Sequence, residues 1–174
     1  MITVRLATPD EYGRVGGLTI EAYAALPVDH LWGGYEAEIL DTATRAEHSD
    51  VLVALADGQV VGSVTYVADS TSLWSEWTEP NEAQFRLLAV DPIARGLGAG
   101  VALVRACTER AAATGQPILI HTTPWMEAAH RIYTRLGFVR RADRDVPYEQ
   151  WHRDRDLELP PEWIDQPFLA YSWG

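Results

Sequence analysis

The sequence has little cysteine and little positive charge. Cys107 is the single cysteine among 174 residues, which excludes an internal disulfide and favours a reducing, cytoplasmic location. Lysine and arginine together number 14, against 25 aspartate and glutamate residues, and the formal net charge is −11. This charge would repel a nucleic-acid backbone, so nucleic acid is not expected as a partner. The charge is compatible with a cationic acceptor and, more simply, with an acidic surface that serves solubility.

Long apolar runs, internal repeats and linker segments are also missing. No stretch approaches the roughly 18 consecutive apolar residues of a membrane-spanning helix, and residues 1–9 are too few and too polar for a signal peptide. No membrane association is therefore expected. Hydrophobic residues make up 47% of the chain and charged residues 22%, as in ordinary globular proteins. The length suits one domain spanning residues 1–174.

Three glycines stand close together in the segment LLAVDPIARGLGAG, residues 87–100. Its apolar start predicts the end of a buried strand, which Asp91-Pro92 breaks because proline cannot donate to a sheet. The glycine-rich turn then leads into a predicted helix over Val101–Thr114. Backbone amides from Gly96 to Val101, at the N-terminus of that helix, form a site suited to phosphate. Glycine is expected there because a Cβ would block the approach of the anion to the backbone.

The spacing of these glycines distinguishes between known motifs. It fits neither the GxGxxG fingerprint of dinucleotide-binding folds nor the Walker loop. The pattern Arg95-x-x-Gly98-x-Gly100, preceded by Leu88-Ala89-Val90, resembles the acyl-CoA-binding motif of the GNAT superfamily of N-acyltransferases. Further along, the segment AHRIYTRLGF at residues 129–138 resembles the second motif of that family, A-x-x-L-Y-x-x-L-G-F. The order of the predicted strands and helices extends the resemblance over nearly the whole chain.

The resemblance implies an α/β (α+β) fold, with a mixed, mostly antiparallel sheet of about six to seven strands flanked by helices. Its central parallel pair, predicted at Ala83–Val90 and Pro117–His121, splays apart to admit acyl-CoA beyond the carboxyl ends of the strands. The implied activity is an N-acetyltransferase that moves an acetyl group from acetyl-CoA to the primary amine of a small molecule, without a metal. The pantetheine arm is expected to pair with the backbone of residues 88–90. The residues expected to hold acetyl-CoA are Leu88, Ala89, Val90, Arg95, Gly96, Leu97, Gly98, Ala99, Gly100 and Val101.

Local patterns predict the remaining elements. The Asp57-Gly58 dipeptide between two β-branched runs is the clearest hairpin signal. Residues 140–166 are charged, contain three prolines and are expected to be mostly loop. The other predicted elements are a strand at 2–7, a helix from 9 to about 25, helical periodicity at 35–48, hairpin strands at 51–56 and 59–68, a helix from 124 to 136 capped by Thr123, and strands at 138–139 and 167–173.

Three side chains compete for the proton transfers that acetyl transfer requires. An ammonium must lose a proton before it attacks a thioester, and the departing thiolate must gain one. In some GNAT members a carboxylate base occupies the strand position that His121 holds here, twelve residues before the motif tyrosine, Tyr133. Histidine, with a free pKa of about 6.5, suits a base near neutral pH, and Tyr133 would donate the second proton. A water chain to Glu82 is the competing base. The simpler interpretations are a histidine bonded to a loop carbonyl and a tyrosine packed in the core.

Other features leave more than one interpretation open. Met126 stands where many family members have an asparagine that bonds the pantetheine arm, and Gln84 is an amide that cannot act as a base. Aromatic residues in predicted loops would line either an acceptor pocket or the interface of a homodimer: Trp74, Trp77, Tyr148, Trp151 and Trp163. Acidic residues at the open end of the cleft predict an amine with a further positive charge: Asp29, Glu36, Glu76, Glu79 and Glu82.

Several other functions compete with this hypothesis. A non-catalytic acyl-CoA-binding or regulatory module on the same fold would need no proton-handling residues. The acceptor of an acetyltransferase can also be a protein N-terminus or a lysine. A hydrolase dependent on Cys107 lacks a base near the cysteine, which is expected to lie in the core. A metal site is not expected, because His30, His48 and His152 share no ligand spacing.

Overall fold

The computed structural model describes residues 1–27, 34–155 and 161–174, apart from the side chain of Glu162. The helices are α1 (Tyr12–Ala24), α2 (Tyr35–Leu40), α3 (Thr42–His48), α4 (Ala99–Thr114), α5 (Glu127–Arg135) and α6 (Tyr148–Asp154). The strands are β1 (Ile2–Leu6), β2 (Asp50–Ala56), β3 (Gln59–Val67), β4 (Gln84–Val90), β5 (Ile118–Thr122), β6 (Val139–Arg140), β7 (Val146–Pro147) and β8 (Pro167–Trp173). None of these helices is long and apolar enough to span a membrane.

The first four strands form an antiparallel sheet in the order β1-β2-β3-β4. Between β2 and β3, Ala56 pairs with Gln59, and the turn residues Asp57 and Gly58 have φ angles of +49° and +79°. A two-residue hairpin turn needs positive φ at both positions, and Asp-Gly adopts these angles more readily than most dipeptides. The predicted hairpin is confirmed.

A second, smaller sheet meets the first at one point. In it β8 lies between β5 and β6, and β7 pairs with the start of β8, all antiparallel. The two sheets join through a parallel contact at Ala83 and Ile118. There Ala83 N–H donates to the carbonyl of Pro117, and Leu119 N–H donates to the carbonyl of Ala83, both at 2.9 Å. In the part of the chain that the structure describes, no further pairing joins β4 to β5, so the predicted splay is confirmed.

Helix α4 packs against the first sheet and closes the main hydrophobic core. Leu103, Val104 and Cys107 on α4 are fully buried and cluster with Leu52 of β2 and Val64 of β3. Burial raises the pKa of the Cys107 thiol, so the thiol stays protonated and unreactive. The prediction that this cysteine belongs to the core is confirmed.

Two predicted helices begin or divide differently in the structure. The helical segment 35–48 is split into α2 and α3 at Asp41, whose carboxylate accepts a hydrogen bond from Thr44 N–H at 3.2 Å and caps α3. The helix predicted from residue 124 begins at Glu127, because residues 123–126 form a turn in which Met126 N–H donates to the carbonyl of Thr123 at 3.2 Å. In both places a local hydrogen bond replaces continuous helix.

The segment 140–166, predicted to be mostly loop, contains helix α6 and the two-residue strand β7. Tyr148, Trp151 and His152 are buried on one face of α6, at the spacing of one helical turn. Strand β6 overlaps the strand predicted at 138–139, and β7 brings the number of strands in the described residues to eight, where six to seven were expected. The mixed, mostly antiparallel architecture itself agrees with the prediction.

The turn between β4 and α4 needs glycine for two different reasons. Gly96 and Gly98 have φ angles of +87° and +86°, in the left-handed region that side chains disfavour. Gly100 lies in the first turn of α4, where a Cβ would lie 2.9 Å from Cδ1 of Ile132 on α5. These two reasons add to the predicted approach of an anion to the backbone, which stays a prediction. Backbone conformation requires Gly98, and the close packing of α4 against α5 favours Gly100.

Replacing Gly98 by valine should reduce stability through the backbone alone. A left-handed φ costs a residue with a Cβ about 1–2 kcal/mol, whereas a Cβ at this position would meet nothing within 4 Å. Asparagine tolerates the left-handed region, so Gly98→Asn is the matched control. Urea unfolding should show the full loss for Gly98→Val and a smaller loss for Gly98→Asn. Equal losses would contradict the conformational reason.

Candidate active site

Two neighbouring cavities adjoin the splayed strand β4. The first lies between β4, the glycine-rich turn and α5, and we call it the cofactor cleft after the acetyl-CoA predicted there. The second lies between β4, β5, α5, α6 and β8, and we call it the acceptor cavity after the amine that the sequence analysis expects. Tyr23, Leu88, Met126 and Ala129 line both cavities. The cavities therefore meet where β4 and β5 diverge.

The cofactor cleft is lined by most of the residues predicted to hold acetyl-CoA. Leu97 does not line it: this side chain is 58% exposed, and its N–H lies 3.3 Å from the carbonyl of Ala94. The predicted residues that do line the cleft are Leu88, Ala89, Val90, Arg95, Gly96, Gly98, Ala99, Gly100 and Val101.

The N-terminus of α4 directs backbone amides at this cleft. The N-cap residue, Gly98, has no side chain to cap the helix. The carbonyl of Gly98 accepts from Ala102 N–H at 3.0 Å, so the amides of Ala99 to Val101 precede the first bond within the helix. These amides and the positive end of the helix dipole favour a bound anion.

Strand β4 leaves part of its backbone available at the same place. A bulge at Leu87, whose φ is +53°, shifts the pairing of β4 with β3 between Ser63 and Thr65. After the bulge, Ala89 pairs with Ser63 on one edge of β4. On the other edge β5 has diverged, which leaves space for an extended ligand along residues 88–90.

Two arginines line the cofactor cleft within the described part of the chain, and sequence reasoning identified only Arg95. Arg135, an exposed residue in the last turn of α5, is the other. Arg135 occupies a variable position of the second motif, which gave no reason to select it. The available signal was helical spacing: Arg135 follows Ile132, which lines the same cleft, by three residues.

Aromatic rings form a continuous wall in the acceptor cavity. Tyr35 contacts Trp151, which contacts Phe168, which contacts Trp77, with ring centroids 5.0, 5.9 and 5.5 Å apart. We call these four residues the aromatic wall. At its end the Trp77 ring meets His121 edge-on, with centroids 5.0 Å apart.

The loop aromatics singled out in the sequence have different places in the structure. Trp77, Trp151 and Trp163 line the acceptor cavity. Tyr148 is fully buried, with its ring 4.1 Å from that of Phe168. Trp74 lies beside the Arg86 guanidinium, 5.7 Å from ring centroid to carbon. Three of these aromatics thus suit the acceptor-pocket interpretation, and the homodimer stays a prediction.

Tyr133 lines the acceptor cavity from α5. Its ring packs against Phe85, Phe138 and Tyr171, with centroids 5.6 to 5.8 Å apart. Burial raises the pKa of its phenol, so the hydroxyl keeps its proton at neutral pH and can donate it. The residue is packed in the core and also has the protonation state of a proton donor.

His121 lines the same cavity from β5, and one of its ring nitrogens is already engaged. Nε2 lies 2.9 Å from the carbonyl oxygen of Arg144, which can only accept, so Nε2 carries the proton in the neutral ring. Nδ1 is then the basic atom, and it is buried without a hydrogen-bond partner. Burial lowers the pKa of the imidazole, and the bond to Arg144 only partly offsets this. The ring is therefore neutral near pH 7.

The structure places Glu82 outside the lining of both cavities. Its two carboxylate oxygens each lie 3.1 Å from the guanidinium of Arg144. One of them also accepts from Glu79 N–H at 2.7 Å. This engagement favours a structural role for Glu82 over that of the base predicted as an alternative to His121.

Glu76 is the carboxylate that lines the acceptor cavity in the described part of the chain. It belongs to a closed set of ion pairs, here called the Arg–Glu ring, made of Glu38, Glu76, Arg86 and Arg155. Arg86 lies 3.2 Å from both glutamates, and Arg155 lies 3.2 Å from Glu38 and also pairs with Glu76. Burial lowers the pKa of Arg86, but the two carboxylates outweigh this and raise it. Arg86 and Arg155 therefore stay charged, and each of them contacts both glutamates.

Gln84 holds Glu76 in place at the base of this ring. The Gln84 side chain is 2% exposed; its Oε1 accepts from Glu76 N–H and its Nε2 donates to the carbonyl of Glu76, both at 3.0 Å. An amide can make this donor–acceptor pair, whereas an ionised glutamate can only accept. The amide thus positions the loop that carries Glu76.

The acidic residues expected to attract a second positive charge are mostly compensated. Glu76 pairs with two arginines of the ring, and Glu79 and Glu82 pair with Arg144. Glu36 is exposed on α2, and Asp29 lies outside the described residues. Three of the five acidic residues are therefore paired with arginines and give no support to a further positive charge on the acceptor.

Metal ligation finds no support in the geometry. No group of three or more His, Cys, Asp or Glu side chains able to hold a metal ion occurs among the described residues. His30, considered in the sequence, lies outside them.

The protonation state of His121 can be measured directly. Nitrogen-15 NMR of the imidazoles should show His121 neutral at pH 6.5 with the proton on Nε2, because the Arg144 carbonyl fixes the tautomer and burial lowers the pKa. The ring should become charged only as the pH falls below 6.5. A proton on Nδ1, or a ring still charged above pH 6.5, would contradict this geometry.

Comparison with known structures identifies similar folds. The chain is similar to yncA of Salmonella typhimurium, solved with its cofactor acetyl-CoA, at 17% identity over 99% of this chain and 92% of that one, with a TM-score of 0.66. A GNAT family acetyltransferase from Brucella melitensis, solved with acetyl-CoA, is 21% identical over 80% of this chain and 83% of that one, with a TM-score of 0.60. Ard1 from Thermoplasma volcanium is 21% identical over 99% and 96%, with a TM-score of 0.66.

These likenesses establish a shared fold, and a sequence-family match is more specific. No curated protein sequence matches the chain. The model of the acetyltransferase (GNAT) family matches residues 19–138, which include both motifs, the splayed strand β4, the glycine-rich turn and α5. The chain belongs to the GNAT family of acetyltransferases.

Proposed function

We propose that this chain transfers an acetyl group from acetyl-CoA to the primary amine of a small molecule. The observation that carries the proposal is the meeting of two cavities at Leu88, Met126 and Ala129, between the splayed strands β4 and β5. One cavity has features suited to a phosphate-bearing cofactor, and the other contains His121 and Tyr133. An acyl donor and an acceptor can therefore approach each other from separate cavities.

The residues of the cofactor cleft fit acetyl-CoA. The amides of Gly96 and of Gly98 to Val101 suit the pyrophosphate, whereas the Leu97 amide already donates to the Ala94 carbonyl. Arg95 and Arg135 suit phosphate oxygens, because arginine forms strong charge-assisted hydrogen bonds to phosphate. The unpaired edge of β4 suits the amide groups of the pantetheine arm. When bound there, acetyl-CoA would supply an acetyl thioester and a thiolate leaving group.

His121 and Tyr133 can handle the two protons of the reaction. His121 Nδ1 removes a proton from the acceptor ammonium, which frees the nitrogen lone pair to form the new C–N bond. As the C–S bond breaks, the Tyr133 hydroxyl would give its proton to the departing sulfur, and the second proton lost by the newly acetylated nitrogen would return to the phenolate. The basic state of His121 and the protonated state of Tyr133 support these roles. A non-catalytic acyl-CoA-binding module would need neither residue.

Screening a library of primary amines for CoA release tests the proposed transfer. Release that depends on an amine, with formation of the matching acetamide, is the expected result. A protein that binds acetyl-CoA but releases CoA with no amine would be a binding module.

Removing a cation from the cofactor cleft should weaken acetyl-CoA binding. Arg95→Gln and Arg135→Gln should each raise Kd about fivefold, since a hydrogen bond to a charged group is worth roughly 1.5–3 kcal/mol when buried and less when exposed. Arg131→Gln is the matched control, because Arg131 is exposed on α5, pairs with Glu127 and does not line the cleft. Calorimetry that shows equal changes for Arg131→Gln and Arg135→Gln would contradict the assigned site.

Removing the Tyr133 hydroxyl should slow the reaction without affecting cofactor affinity. Tyr133→Phe keeps the ring and should lower kcat by at least ~10², the typical cost of losing a general acid. Tyr66→Phe is the control, because the Tyr66 hydroxyl is buried without a hydrogen-bond partner and Tyr66 lines neither cavity. A normal kcat in Tyr133→Phe would exclude the proton-donor role.

The pH dependence distinguishes the two candidate bases. A protonated imidazole cannot accept a proton, and burial lowers the pKa of His121, so kcat/KM should fall as the pH decreases below 6.5. This acidic limb should disappear in His121→Ala and persist in Glu82→Gln. The reverse pattern would show that the proton leaves through Glu82.

A further inference from the structure

We propose that the acceptor cavity selects a primary amine that carries an aromatic ring and no second charged group. This inference names the acceptor class and rests on the proposed acetyl transfer. It departs from the sequence-based expectation of an amine with further positive charge. Two independent features of the cavity support it: the aromatic wall and the compensated charges beside it.

The rings of the aromatic wall are packed against one another. Tyr35 meets Trp151 edge-on, at an interplanar angle of 85°, and Phe168 is tilted by 59° to Trp151 and by 43° to Trp77. Trp151 is 7% exposed, with the Arg155 guanidinium 4.4 Å from its ring centroid. Rings packed in this way form a slot that offers both faces and edges to another ring. Aromatic groups prefer such offset and edge-on arrangements, so a ligand ring gains more there than an aliphatic group of similar size.

The carboxylate and guanidinium side chains in the described part of the cavity lining already have partners. They are Glu76 and Arg86, which pair with each other at 3.2 Å. Arg155 also binds Glu76, and Glu38 also binds Arg86. A second ammonium would lose its hydration without gaining a free carboxylate, and a ligand carboxylate would find no free cation. Polyamines and amino acids are therefore disfavoured.

The wall ends beside the proposed base. Trp77 contacts His121 directly, and His121 Nδ1 is free to accept a proton. A ligand ring on the wall would therefore place an amine on a short side chain near His121 and the junction of the two cavities. Near these rings a single ammonium is further stabilised by the negative faces of the aromatics.

Four amines provide the test. With acetyl-CoA held constant, CoA release is measured for 2-phenylethylamine, 2-cyclohexylethylamine, L-phenylalanine and spermidine. The cyclohexyl compound removes only the aromaticity, phenylalanine adds only a carboxylate, and spermidine replaces the ring with further ammonium groups. We expect kcat/KM for 2-phenylethylamine to exceed that for the cyclohexyl compound by about threefold to tenfold. It should exceed those for the two compounds with additional charges by at least about tenfold.

A pair of variants on β8 links this preference to the wall. Phe168→Leu keeps an apolar side chain but removes one ring of the wall, so the phenyl-to-cyclohexyl ratio of kcat/KM should fall towards one. Trp173→Leu removes a ring from the same strand outside the cavity lining and should leave the ratio unchanged. The ratio does not depend on how much of each variant folds, because both amines are compared on the same preparation.

Different results would overturn this inference and the proposed acetyl transfer. A best substrate among the other three amines, or an unchanged ratio in Phe168→Leu, would overturn the inference while acetyl transfer stands. If none of the four amines releases CoA, the inference is also overturned. Release with any other amine of the wider library would then retain the proposed function, and its absence throughout would overturn that too.

Discussion

The parallel contact between Ala83 and Ile118 determines the shape of the functional site. It anchors β4 to β5 through two hydrogen bonds and joins the two sheets. Beyond it the strands diverge, and both cavities open along the divergent part of β4. A fully paired β4 and β5 would satisfy more backbone groups but would close this space. The site therefore depends on backbone left without a strand partner, which a ligand can satisfy instead.

Ion pairs between partly buried side chains determine the structure of one wall of the acceptor cavity. Each arginine of the Arg–Glu ring contacts both glutamates. The Gln84 side chain forms hydrogen bonds with both the N–H and the carbonyl of Glu76. Buried charges are tolerated when they are paired in this way. The ring joins α2, the loop that carries Glu76, β4 and the end of α6, so it ties distant segments to one cavity wall. Its four charged side chains are paired with one another, so among the described residues this ring adds no unpaired charge to the cavity.

Sequence patterns predicted the features that depend on residues close together in the sequence. The Asp57-Gly58 turn, the glycine-rich turn before α4 and the core position of Cys107 follow from φ angles and hydrophobic spacing over a few residues. Helix α6 was missed because its charged residues and the flanking prolines outweighed a short apolar face at Tyr148, Trp151 and His152. The Arg–Glu ring could not be predicted, because its members lie far apart in the sequence and only the fold brings them together.

The position of the thioester relative to the two cavities decides whether this geometry performs acetyl transfer. A crystal structure of the complex with acetyl-CoA measures it directly. The pantetheine arm should lie along Leu88–Val90, with the acetyl group at the junction beside Met126 and its carbonyl carbon open to the acceptor cavity. An acetyl group outside the space between β4 and β5, or separated from His121 and Tyr133 by the wall of the cleft, would contradict it.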